Sequence, residues 1–274
     1  MSHATSLDHV GVVGRDVAVL AAEFENLGFC LTPLARHAGG RTGNRNVMLR
    51  SGYIELLSVV DGGRSATLER FLARYAGIHI LSLGIADETA ALARLRRAGF
   101  ADAVVSQTDR AVDDADSTGP RARFALVTPP DAPEGRIHLI RHMTPEALWQ
   151  DRYLHHPNHS VALEEVVLVV AEPAETAARL SRIAGRPVVP DPVGGFALAL
   201  SRGRVRVLPL GSFATVCEDV AVPELPWIGS ITLQTGDRNA ALRRWLQDRT
   251  IPFRAGGGAL LVQAGGVVVR FVPA

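Results

Sequence analysis

The stretch LDHVGVVGRDVAVLAAEFENLGF, residues 7–29, changes its hydrophobic period halfway along. Up to Val13 its apolar residues are spaced as in a strand. Beyond Asp16 the Ala and Leu spacing is that of a helix stopped by Gly28. The same change recurs in IHILSLGIADETAALARLRRAGF (78–100), LEEVVLVVAEPAETAARLSRIAG (163–185) and IGSITLQTGDRNAALRRWLQDRT (228–250). Asp16, Asp87, Glu172 and Asp237 occupy one point of the repeat, ahead of the helix, where the helix dipole favours a carboxylate. Strand-like stretches come after each helix: RNVMLRSG with YIELLSVV, RFALVTPP with RIHLIRH, GFALALSRG with RVRVLPL, and GALLVQAG with GVVVRFVPA. A weaker strand is expected directly after each helix. The unit is therefore β-α-β-β-β, and the fold class α+β.

Such a unit covers one face of its sheet with its helix and leaves the other face bare, so two units must share the bare face. Four units predict two cup-shaped mixed sheets in two tandem domains, residues 1–150 and 151–274. DRYLHHPNHS (151–160) has the polar, Pro- and Asn-containing composition of the connection.

Composition narrows the function. With 274 residues, 47% of them hydrophobic, there is ample material for two cores. The net charge of +1 and 5% aromatic content give neither a field nor a stacking platform for nucleic acid. The N-terminus lacks a signal-peptide pattern and no apolar run is long enough to span a membrane, so a cytoplasmic location is expected. Cys30 and Cys217 lie far apart outside any metal-binding spacing and read as reduced core residues.

Superposing the four copies at their helix-start acids assigns side chains to faces. His9, Gly11 and Val13 face the first cup, with Val10 and Val12 under the helix; His9, Ile80, Glu165 and Ser230 are equivalent. On the last strands His138 matches Glu55. A carboxylate in the middle of YIELLSVV is costly to bury unless it is paired or bound to metal. His9, Glu55 and His138 converge, and two imidazoles with a carboxylate suit a divalent ion such as iron, manganese, zinc, nickel or cobalt. Ile80 fills the fourth slot and cannot be a ligand, so a slipped strand would bring His79 in to replace His138 or to join it, and His142 is a further candidate. A lone strand histidine is more often structural, and Glu55 pairing with Arg45 is the plainer alternative. The donor-rich loop at 35–47, with His37, Arg41, Asn44 and Arg45, offers a substrate-binding lip over the cup.

In the second half the equivalent positions hold Glu165, Ser230, Arg206 and Arg270, a set that does not bind metal. Arg206 paired with Glu165 is the expected arrangement; a pocket for a carboxylate or phosphate is the alternative. Thr144 and Pro145 mark a helix start, and His155, His156 and His159 read as polar connection residues. No GxGxxG, Walker or GxSxG motif is present.

The four-fold unit, LDHV on the first strand, YIELLSVV, RTGNRNVML and HMTPEALWQDRYLHHPN together resemble the glyoxalase-like branch of the vicinal oxygen chelate superfamily, which also includes bleomycin-resistance proteins and extradiol dioxygenases. The resemblance spans essentially the whole chain. It implies a metal-centred cup acting on a small molecule with adjacent oxygens, by lyase, isomerase or dioxygenase chemistry. Glu55 would be a ligand and proton shuttle, and Asn44 and Arg45 would touch substrate. It equally admits a metal-free binding or resistance protein, and it leaves a homodimer open.

Overall fold

The computed structural model describes residues 3–37, 39–113, 115–116, 118–236 and 239–274; the helix-start acid expected at Asp237 lies outside them. The first unit runs β1 (Ser6–Val13), α1 (Val17–Asn26), β2 (Ala35–Arg36), β3 (Thr42–Met48) and β4 (Tyr53–Val59). The second runs β5 (Gly77–Gly84), α3 (Glu88–Arg97), β6 (Val104–Ala111), β7 (Arg121–Thr128) and β8 (Arg136–His142), with α2 (Ala66–Leu72) between the two units. After α4 (Pro145–Leu148), the third unit is β9 (Ser160–Val169), α5 (Pro173–Ala184), β10 (Val189–Pro190), β11 (Phe196–Ala199) and β12 (Arg204–Leu208). Beyond α6 (Leu210–Val216), the fourth is β13 (Trp227–Thr235), α7 (Ala240–Asp248), β14 (Arg254–Gly256), β15 (Ala259–Ala264) and β16 (Val267–Pro273).

The expected acids start the helices by different means. Asp16 accepts from the backbone N–H groups of Ala18 and Val19, and Asp87 from that of Ala90; Glu172 makes no such bond, and Pro173 opens its helix instead. Helix α1 buries Leu20, Ala21 and Phe24 over Val10, Val12, Ile54 and Leu56, the inner residues of β1 and β4. The other sheet face is left for the cup.

Each first strand pairs parallel with the last strand of its own unit and antiparallel with the first strand of a neighbouring unit. Unit one thereby joins unit two in the order β2-β3-β4-β1-β5-β8-β7-β6, and unit three joins unit four in the order β10-β11-β12-β9-β13-β16-β15-β14. The two cups meet where β13 pairs with β5 at Ile228 and Ile78, and isolated bridges also join Ser6 to Arg202 and Ser51 to Ala162.

One irregularity is repeated in every unit. Leu7 pairs with Leu83 and His9 with Ser82, which leaves Asp8 without a partner; Gly11 pairs with Ile80 and Val12 with Ile78, which leaves out His79. Between β9 and β13, Glu164 and Gly229 are skipped in the same way. These four residues stand at one position of the repeat, so each first strand carries a bulge there that re-aims its side chain.

The connection between the halves is pinned by buried polar groups. His156 donates from Nε2 to the Met48 carbonyl (2.8 Å) and accepts at Nδ1 from the Cys30 N–H (3.0 Å). Asn158, fully buried, donates to the Leu27 carbonyl (2.9 Å). Arg94 donates to the carbonyls of Arg182 and Ile183 across the two halves. Cys30 and Cys217 are free thiols. No helix among the described residues is long and apolar enough to cross a membrane.

Candidate active site

The two cups differ in the helix that comes after β4 in one and after β12 in the other. Residues 60–65 separate β4 from α2, which sits at the side of the first cup with Leu68 and Phe71 packed on Val13, Leu57 and Ile80. Only Pro209 separates β12 from α6, and the short link brings that helix onto the second cup, where Phe213 packs edge-on against Trp227 (5.6 Å) beside Leu208 and Val268. The first cup keeps a cavity of about 410 Å³; in the second, α6 covers part of the sheet and a cavity of about 450 Å³ remains toward β15 and β16, lined by Val220, Phe253, Leu261, Gln263 and Val268.

His9, Glu55 and His138 all line the first cavity, with Tyr53, Leu57 and Ile80 among its other walls. The strand registers explain the convergence: Gly11 pairs with Glu55 in unit one as Ser82 pairs with His138 in unit two. Ser82, which strand alternation places on the cup side with Ile80, is fully buried and links the imidazoles, its Oγ 2.7 Å from His9 Nε2 and 2.5 Å from His138 Nε2. Behind His9, the bulge turns Asp8 so that its Oδ1 accepts from His9 Nδ1 (2.8 Å) and from His142 Nε2 (3.2 Å). Tyr53 stacks on the His9 ring at 4.3 Å and fixes its plane.

Hydrogen bonding sets the proton positions of this group of residues. Burial, the largest influence on the Asp8 carboxyl, opposes its charge, but bonds from His142 and His9 outweigh it and hold the carboxyl well below its usual range. An ionised Asp8 takes the Nδ1–H of His9, so a neutral His9 presents a lone pair at Nε2. Ser82 then donates to His9 and accepts from Nε2–H of His138. Burial pushes His138 down to about 3, so it is neutral, and this polarity leaves a bare lone pair on its Nδ1, a buried atom without a partner.

Glu55 is ionised for a different reason. Burial would raise its carboxyl, but the hydrogen bonds from His37 and Asn44 outweigh it and bring the group well below the usual carboxylate range. Asn44 donates from Nδ2 to Glu55 Oε1, and His37 Nε2 lies 3.5 Å from the same oxygen. Asn44 is buried beside the cavity as a support for Glu55, not exposed as a lip. Arg45 is a correction: it pairs with Glu25 (2.9 Å) and the Thr32 carbonyl (3.0 Å) and does not line the cavity, because its alternate strand position points it toward α1.

His79 is a second correction. As the bulged residue of β5 it lies stacked between Phe71 (4.8 Å) and Tyr75 (4.1 Å), donating from Nε2 to the Tyr75 carbonyl, and takes no part in the cup. The remaining donors do not fit a divalent ion. Both Nε2 atoms are engaged by Ser82, Glu55 is turned to Asn44 and His37, and the fourth slot holds Ile80. Among the described residues no three His, Cys, Asp or Glu side chains are grouped so as to hold a metal ion.

In the second half Glu165 is buried and receives Arg204 (2.6 Å), Arg270 (3.3 Å) and the Thr232 hydroxyl (3.2 Å). Arg206 is not primarily its partner. It forms a two-pronged pair with Asp191, 2.7 Å at each prong, and reaches Glu165 only at 3.7 Å. The arginines are consumed by acids of the same chain.

Two open-faced cups of mixed sheet, each made from a pair of β-α-β-β-β units, define a tandem vicinal oxygen chelate fold. The sequence model of the glyoxalase-like domain matches residues 7–184, and the chain belongs to that family. A hypothetical protein from Staphylococcus aureus superimposes with TM-score 0.69 and 14% identity over 100% of both chains. A mutant of 4-hydroxymandelate synthase from Streptomyces coelicolor gives 0.61 and 13%, over 99% of this chain and 93% of that one. Homoprotocatechuate 2,3-dioxygenase from Arthrobacter globiformis gives 0.59 and 11%, over 99% and 80%. At such identities the likeness is one of fold. A comparison with curated proteins found no match.

Proposed function

We propose that the chain is an enzyme acting on a small molecule in the first cup, and that a hydrogen-bonded relay, not a divalent ion, carries its proton transfer. The observation that carries this reading is the shared Ser82 hydroxyl between His9 and His138. A proton taken up at His138 Nδ1 passes out as its Nε2–H to Ser82, and the Ser82 proton passes to His9 Nε2. The positive charge then rests on His9 beside ionised Asp8 instead of on the desolvated His138. Glu55, held by Asn44 and His37, serves as an acceptor for a substrate hydroxyl, and the shuttle role falls to the hydrogen-bonded histidines. The reaction class is proton abstraction next to a carbonyl, in a substrate with adjacent oxygens. On this reading the chemistry belongs to residues 1–150, and residues 151–274 act as a supporting partner.

The test is hydrogen–deuterium exchange in D2O, monitored by proton NMR, on a panel of 2-hydroxy ketones and 2-oxo acids with chelator-treated protein. Carbon-bound exchange that survives chelation and is lost in Ser82→Ala is the expected result. Exchange that requires an added divalent ion, or that persists in Ser82→Ala, refutes the relay. A second reading, a metal-free binding protein, is favoured by the apolar Ile80 at the centre of the site; binding of panel members without exchange would select it.

A further inference from the structure

The first cavity holds a cation that pairs with no carboxylate among the described residues. β6 and β7 form its outer wall, and along β6 side chains alternate between solvent and cup. Asp109 points outward, where it pairs with Arg121 on the neighbouring strand (2.6 Å). Arg110, the next residue, lines the cavity. Among the described residues its only hydrogen bond is from Nη1 to the adjacent Ala111 carbonyl (3.2 Å), its Nε is buried without a partner, and no carboxylate pairs with it. The other charged groups of the cavity have partners: Arg136 is held by Asp131 (2.9 and 3.2 Å), and Glu55 accepts from Asn44 with His37 at 3.5 Å.

A half-buried guanidinium with a bare Nε is costly unless something accepts from it. The group that suits its planar fork is a carboxylate or a similar oxyanion. Tyr53 lines the same cavity, and burial with the charges of Asp8 and Glu55 pushes its hydroxyl well above the ordinary range, so it is a donor. Leu57, Leu68, Ile80, Phe124 and Leu126 make the rest of the wall apolar.

We infer that the ligand of the first cup is a small organic anion with an apolar or aromatic body, its carboxylate held by Arg110 and the Tyr53 hydroxyl. This deepens the reading above and rests on the first cup being the ligand site. It also orients the ligand, with the anion at the β6 wall and the body toward His138 and Glu55.

The test compares a panel of small aryl and alkyl carboxylates with their carboxamides, by titration calorimetry and ligand-observed NMR. The proteins are wild type, Arg110→Gln, Arg110→Lys, Tyr53→Phe and Leu126→Trp, the last filling the cavity from β7. Acids are expected to bind wild type about tenfold or more tightly than their amides. Arg110→Gln should lose that preference, Arg110→Lys restore part of it, Tyr53→Phe weaken acids alone, and Leu126→Trp abolish all binding. Equal binding of acids and amides, or unchanged acid affinity in Arg110→Gln, overturns the inference; if Leu126→Trp still blocks binding, the cup itself stands. Binding indifferent to Leu126→Trp, or no binding of any panel member, overturns both.

Discussion

Asp8 Oδ1 lies 2.8 Å from His9 Nδ1, although the two are consecutive residues of one strand and would otherwise point to opposite faces. The bulge at Asp8 makes the contact. Replacing Asp8 by Asn keeps the shape and removes the charge that would stabilise a protonated His9. Asp8→Asn should lower exchange activity by about tenfold or more, consistent with loss of a charge-assisted bond, while the fold persists by circular dichroism. Undiminished exchange would remove Asp8 from the relay.

Ser82→Ala leaves two imidazole nitrogens facing each other in a dry site. The expected loss is about 1 to 3 kcal/mol of stability, the cost of buried polar atoms left unpaired, read as a lower urea midpoint. Ser82→Thr, which keeps the hydroxyl, should lose less.

Burial pushes His79 down to about 4 from a usual 6.5. The unfolded chain therefore takes up this proton first as pH falls. Stability from a neutral His79 is complete above about pH 6.5 and is lost progressively down to about pH 4. His79→Phe keeps a ring in the stack with Phe71 and Tyr75 and removes the titration. Its urea midpoint should fall less steeply across that window, and an unchanged slope would refute the assignment. His156, also lowered by burial, accounts for part of the remaining slope.

Glu165 neutralises arginines that have been brought into the second half's sheet. Glu165→Ala should cost about 3 to 5 kcal/mol, as breaking a buried ion pair does. Arg204→Ala should cost about 1 kcal/mol or less, because its side chain is 59% exposed. Equal effects would mean that the network's energy lies at the surface.

Elemental analysis of untagged protein purified without chelator should find well under one divalent ion per chain, with no change in Glu55→Gln. A stoichiometric ion lost in that variant would restore the sequence expectation of a metal centre.

The fold was legible because its unit is written four times, and the match of Glu55 with His138 came from aligning the copies. Asp8 was not legible from period-two counting, which put Ser82 on the cup side but showed no role for it. Asp8 reaches His9 only through the bulge, and Ser82 reads as an ordinary small residue in ILSLG. A hydroxyl in an otherwise apolar strand was the available signal. Arg110 was missed because β6 begins the least certain part of its unit, where SQTDRA carries no apolar pattern to show which side is inside.

The skipped residue in each first strand is the same kink with four occupants: Asp8 behind the relay, His79 in an aromatic stack, Glu164 opposite β13, and Gly229, where a β-carbon would come within 2.4 Å of the Trp227 ring. The backbone thus offers one interchangeable socket per unit. The group plugged into it can be chemistry, packing or nothing at all, without the pairing of the strands having to change.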